Sequence, residues 1–148
     1  MAATGTSRSR TSVAAEDYLE KIEQLIARKG YARVVDIAAE LKISQASVTA
    51  MVQKLDAEGF VKYEKYRGMV LTSSGLEVAR RIAHRHALLT EFLHAIGVTD
   101  EKVIYDDVEG MEHHISPETF RAIEALTRYL ERNPSVVAKA AAAARTEK

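Results

Sequence analysis

Glu109, Glu112 and His113 stand at i, i+3 and i+4, so in a helix all three project from one face. Carboxylates and an imidazole so spaced can hold a metal ion. Asp17 and Glu20, at i and i+3, share a face of an earlier segment, while His84 and His86 are two apart and point to nearly opposite sides. Paired acids on a helix are most often a solvated face, and a helical histidine is most often a satisfied one. The E-x-x-E-H cluster stands out because six carboxylates (Asp100, Glu101, Asp106, Asp107, Glu109, Glu112) fall between Asp100 and Glu112 with one Lys among them. The 148 residues include no cysteine, which excludes disulfides, zinc–thiolate sites, iron–sulfur clusters and cysteine nucleophiles. Oxygen and imidazole donors suit Mn²⁺, and Fe²⁺ or Zn²⁺ less selectively. A two-metal hydrolase would use similar residues, but it also needs an open substrate cleft, for which the chain offers no obvious second domain.

Lys+Arg and Asp+Glu number 21 each, so bulk charge argues for neither nucleic acid nor membrane. No apolar run approaches the roughly 18 residues that would span a bilayer. The first residues, MAATGTSRSRTSV, lack the apolar stretch of a secretory signal. A cytoplasmic protein with no membrane partner is the expectation.

The positions of these residues depend on the elements that carry them. Residues 1–13, rich in Ser, Thr, Ala and Gly, read as a flexible arm. Leu19, Ile22, Leu25 and Ile26 give a helix over about 14–29 that Gly30 stops. Val34, Ile37, Ala38 and Leu41 mark a short second helix. Ser44 reads as the N-cap of a third, with Val48, Met51, Val52 and Leu55 inward to about Glu58. The period then switches: Phe60–Tyr66 and Met69–Thr72 read as strands joined across Arg67-Gly68. Ser74 is the expected cap of a long helix, about 75–96, with Val78, Ile82, Leu89 and Phe92 inward. A fifth helix is expected over about 100–114 despite Gly110. Ser116-Pro117 opens a sixth to about Glu131, and Asn133-Pro134 separates an Ala-rich seventh.

Helix, helix, helix and hairpin make a winged helix-turn-helix. Ala38 is the small residue where two helices cross, and Lys42 replaces the usual turn glycine, at a cost of about 1 kcal/mol if left-handed. The third helix would enter the major groove with Gln45, Ser47 and Thr49 toward base edges, and with Gln53 and Lys54 further along its exposed side. Lys62, Lys65 and Arg67 of the wing would meet phosphates. Tyr63 and Tyr66 could add phosphate hydrogen bonds, although one is expected to pack beneath the wing. The fold expected is mainly α: a winged-helix DNA-binding domain with a two-stranded wing over 14–73, then a helical metal-binding and dimerisation domain over 74–148.

The chain resembles the diphtheria toxin repressor family of metal-dependent transcription factors, most closely its manganese transport regulator branch. The phrases EDYLEKI (16–22), KGYARVVDIAAEL (29–41), SVTAMVQKLD (47–56), YEKYRGMVLT (63–72), RHALLTEFL (85–93) and DVEGMEHHIS (107–116) carry the likeness. The resemblance implies a homodimer whose metal-loaded form binds a palindromic operator and represses metal-uptake genes. It implies Asp17, Glu20, His86, Glu109, Glu112 and His113 as ligands, with two Mn²⁺ per chain bridged by Glu109 and Glu112, and other divalent metals accepted in vitro. The iron-responsive branch carries methionine and cysteine at the positions of Asp17 and Glu112. The harder carboxylates here favour manganese. Ala46 stands where relatives often have proline, so base preference does not carry over. The alternatives are an iron- or other-metal-responsive repressor and, from another class, the small di-metal hydrolase, which would show turnover and no operator. A further rival, a winged-helix regulator whose helical half binds an organic ligand, would bind DNA without regard to Mn²⁺; the E-x-x-E-H cluster argues against it, so no organic ligand is expected.

Overall fold

The structure, a computed structural model, describes residues 11–146. Up to residue 10, the expected arm lies outside the described residues. The chain divides into two compact units, up to Arg80 and from Arg81 onward.

In the first unit, α1 (Val13–Lys29) starts where Ser12 accepts a hydrogen bond from the Ala15 N–H and stops at left-handed Gly30. Its apolar stripe is buried as the spacing requires: Leu19, Ile22 and Leu25 have no exposed surface, each worth about 1.5–3 kcal/mol of burial. Arg28 pairs with Glu40, holding that carboxyl below its usual range and tying α1 to α2 (Val34–Leu41). Ala38 is buried in the same core. The turn into α3 (Gln45–Ala57) passes through Lys42 at φ 55°, the left-handed conformation, with its N–H on the Ala38 carbonyl. Ser44 caps α3 by accepting from the Ser47 N–H at 3.1 Å. Val48, Val52 and Leu55 close the core from that side.

The wing differs in detail from the expected hairpin. β1 is Val61–Glu64 and β2 is Gly68–Leu71, antiparallel with Val61 opposite Leu71 and Glu64 opposite Gly68. The turn is therefore Lys65-Tyr66-Arg67, and Tyr66 takes φ 67°. Gly68 serves the strand: a Cβ there would lie 2.6 Å from the Ala32 carbonyl oxygen, which accepts the Met69 N–H at 3.1 Å. The glycine marks a close backbone approach that a pairwise turn reading misses.

α4 runs Ser73–Ala95, and the division between the units falls inside it. The expected cap, Ser74, is already helical. Thr72 does the capping, its hydroxyl accepting from the Gly75 N–H at 3.2 Å and donating to the Gly59 carbonyl at 2.6 Å. Val78 and Ala79 belong to the first core, whereas Leu89 and Leu93 join Ile104 and Val108 in the second. Asp100 caps α5 (Glu101–Met111). That helix stops three residues short of the expected end, with Glu112 at its C-cap. Ser116 caps α6 (Pro117–Arg132), and α7 (Pro134–Thr146) follows with none of its described residues buried. No helix among the described residues is long and apolar enough to cross a membrane.

Candidate metal centre and nucleic-acid interface

In the second unit, α4 presents His86 to the C-terminal end of α5. Its Nδ1 lies 3.0 Å from Glu112 Oε2 and 3.4 Å from Glu109 Oε1. These three side chains offer donor atoms within 4.8 Å of one another. His113 Nε2 lies 3.4 Å from the other oxygen, Glu112 Oε1. Glu112 itself has no exposed surface, and its Oε1 accepts no hydrogen bond. A buried carboxylate oxygen without a donor costs on the order of 1–3 kcal/mol. A cation is the partner that would offset that cost, so this donor set fits a divalent metal.

Four of the six expected ligands are thus gathered in one unit. The other two, Asp17 and Glu20, are half-buried on α1 of the first unit, Glu20 accepting a hydrogen bond from Gln24 at 3.3 Å. His84, which spacing alone could not separate from His86, packs edge-on against Phe120 at 5.5 Å. Sequence spacing could not find His86 either. Its acidic neighbours lie on another helix, so only the family likeness singled it out.

On the first unit, Gln45, Ser47, Gln53 and Lys54 are exposed along α3, and Thr49 is half-buried. The Ser47 hydroxyl is 2.9 Å from that of Ser44, and Lys54 sits 4.0 Å from Glu58. Lys62, Lys65 and Arg67 are exposed on the wing, Arg67 lying 3.4 Å from Glu64. The two tyrosines divide as expected: Tyr63 packs on the core, and Tyr66 is 90% exposed at the wing tip. Between α3 and the wing lies a cleft of about 320 Å³ lined by Gln45, Thr49, Tyr63, Lys65 and Tyr66, together with Arg33. Arg33 was not foreseen. Its signal was a cation immediately before the second helix, and its guanidinium lies 4.7 Å over the Tyr31 ring.

A winged helix followed by a helical unit whose carboxylates and imidazoles gather around a buried glutamate defines a class: DNA-binding regulators that carry a metal site. Residues 10–69 match the family described as "Iron dependent repressor, N-terminal DNA binding domain", and residues 72–137 match "Iron dependent repressor, metal binding and dimerisation domain". The chain is 52% identical over 124 residues to the HTH-type transcriptional regulator MntR of Lysinibacillus sphaericus, covering 84% of this chain and 88% of that one. It is 53% identical over 121 residues to the regulator of the same name from Bacillus subtilis, covering 82% and 84%. The structure of the manganese regulator SloR superposes with a TM-score of 0.68 at 29% identity, over 78% of this chain and 54% of that one, so the chain spans about half the length of that structure. The chain belongs to the diphtheria toxin repressor family, in its manganese transport regulator branch. Its relatives are named as transcriptional regulators, not enzymes.

Proposed function

We propose that this protein is a manganese-dependent transcriptional repressor that binds a palindromic operator as a metal-loaded homodimer and turns down manganese-uptake genes. The observation that carries the reading is Glu112: a buried carboxylate, one oxygen without a hydrogen bond, gathered with His86 and Glu109 in a chain that also bears a winged helix. The names of the MntR relatives and of the manganese regulator SloR support the choice of metal. Glu109, Glu112, His86 and His113 would hold the ion, with Asp17 and Glu20 as further ligands and two ions per chain. A bound divalent cation supplies the positive charge that offsets repulsion among the carboxylates. A ligand that binds the DNA-competent state better shifts the population toward it, by no more than its differential affinity.

Gln45, Ser47 and Thr49 read base edges from α3, with Gln53 and Lys54 further along that helix. Lys62, Lys65 and Arg67 hold the phosphate backbone, and Arg33 lines the cleft between α3 and the wing together with Lys65. One winged helix buries little surface on DNA, and a second copy doubles it. Exposed apolar residues of the second unit (Val103, Tyr105, Leu126, Tyr129) offer a surface for that pairing. Ile104 belongs instead to the unit's own core, and Ile123 packs against it.

The test is selection of bound fragments from a genomic DNA pool, with Mn²⁺ and again with chelator. A shared palindrome enriched only with Mn²⁺ is the expected result. Enrichment in both arms removes metal as the switch. Equal enrichment with Fe²⁺ at matched free concentration favours the iron-responsive alternative, and no enrichment overturns the regulator reading.

A further inference from the structure

Arg85 precedes His86 on α4, and its side chain takes a different route to the same residue. One guanidinium nitrogen, Nη1, donates to the Glu112 carbonyl at 3.0 Å and to the Ile115 carbonyl at 2.9 Å. The guanidinium carbon also lies 5.5 Å from the centre of the Phe120 ring. Glu112 is the C-cap of α5, where the last carbonyls have no partner within their helix. Ile115 comes immediately before Ser116, the N-cap of α6. The two accepting carbonyls therefore flank His113 and His114, and a single cation closes the turn that carries two of the gathered donors.

We propose that Arg85 is a positioning residue for the metal centre, fixing the backbone of Glu112 and His113 so that their side chains meet His86 in ligating geometry. The inference rests on the metal reading above. Neighbouring residues of α4 grip Glu112 twice: Arg85 by the main-chain oxygen and His86 by the carboxylate, at 3.0 Å in each case. Without the guanidinium, two helix-end carbonyls lose a charged donor, and the turn is free to shift by fractions of an ångström. Metal sites feel such shifts: loss of a group that orients the ligands typically weakens binding about 10- to 100-fold. Lysine keeps the charge and can reach a carbonyl, but its ammonium ends a flexible stem and lacks the flat guanidinium that lies against Phe120 and holds the donating nitrogen in place.

The experiment is Mn²⁺ titration of the full chain, following the electron paramagnetic resonance signal of the free ion, so no DNA is involved. Arg85→Met keeps the stem and removes the donors. It is expected to raise the dissociation constant about 10- to 100-fold. Arg85→Lys is expected to recover part of that loss. His84→Ala, which removes a neighbouring contact on Phe120 without touching the carbonyls, is expected to bind as the parent does. Parent-like affinity in Arg85→Met overturns the proposal, as does an equal loss in His84→Ala, which would mean general loosening. If Arg85→Met does not fold, Arg85→Lys decides alone: weakened binding supports the role and unchanged binding overturns it. Failure of the parent chain to take up Mn²⁺ overturns the metal reading itself, a result distinct from all of these.

Discussion

Glu112 combines burial, charge and an unmet hydrogen-bond acceptor. Replacing it with alanine removes the costly acceptor and leaves a small cavity, two effects of opposite sign and each on the order of 1–3 kcal/mol. Glu112→Ala is therefore expected to melt within a few degrees of the parent in chelator while losing Mn²⁺-activated operator binding. Calorimetry and fluorescence anisotropy on the same preparation check both halves. Tyr66 is a second residue that departs from the cheapest choice. It holds φ 67° at 90% exposure, where glycine would sit without strain. Such residues tend to persist where function retains them. Tyr66→Gly is expected to leave stability equal or raise it by about 1 kcal/mol, yet to weaken operator binding roughly 3- to 10-fold. Denaturant melts paired with anisotropy titrations test this, and equal DNA affinity would show the tip to be idle. Little of this was readable from the residue types. Burial of Glu112 depends on α4 and α5 meeting, and a left-handed tyrosine leaves no mark in a hydropathy pattern.

The elements themselves were far more legible. Leu19, Ile22 and Leu25 recur at helical spacing because one stripe must face the core, and Ser44 and Ser116 announce helix starts by a local hydrogen bond that needs no tertiary context. What escaped was set by approach between distant backbones. Gly68 looked like a turn glycine, but it lies against Ala32, some 36 positions earlier. Thr72, not Ser74, caps α4 because its hydroxyl is also held by Gly59. Gly75 belongs to the same group: a Cβ there would stand 2.0 Å from the Phe60 carbonyl oxygen and 2.9 Å from its carbon. Both are backbone atoms, so no side chain can give way. Gly75→Ala is expected to cost about 3 kcal/mol or more, read as a lowered denaturation midpoint at unchanged m-value. The wing and the start of α4 are the elements it would loosen.

At the scale of the molecule, 21 basic and 21 acidic residues leave no net charge to draw DNA in, so its electrostatic attraction must come from local cations such as Lys62, Lys65 and Arg67. Each phosphate contact adds about 0.9 to the slope of log affinity against log salt. Removing one of these residues from both copies of a dimer should lower that slope by roughly 1.8 while leaving sequence preference intact. Binding isotherms at several salt concentrations, on operator and scrambled DNA, check both. Local cations were easy to find because an exposed lysine on a wing needs no partner to be recognised. Arg33 was not, since only the folded cleft brings it beside Gln45 and Lys65. The donors gathered in the second unit, His86, Glu109, Glu112 and His113, are all nitrogen or oxygen, and the chain has no cysteine anywhere. Peroxide disables sensors by converting thiolates to sulfenic acids, disulfides and beyond. It finds no such atom here, so Mn²⁺ uptake through the proposed donors is expected to outlast a peroxide treatment that disables a thiolate-ligated site.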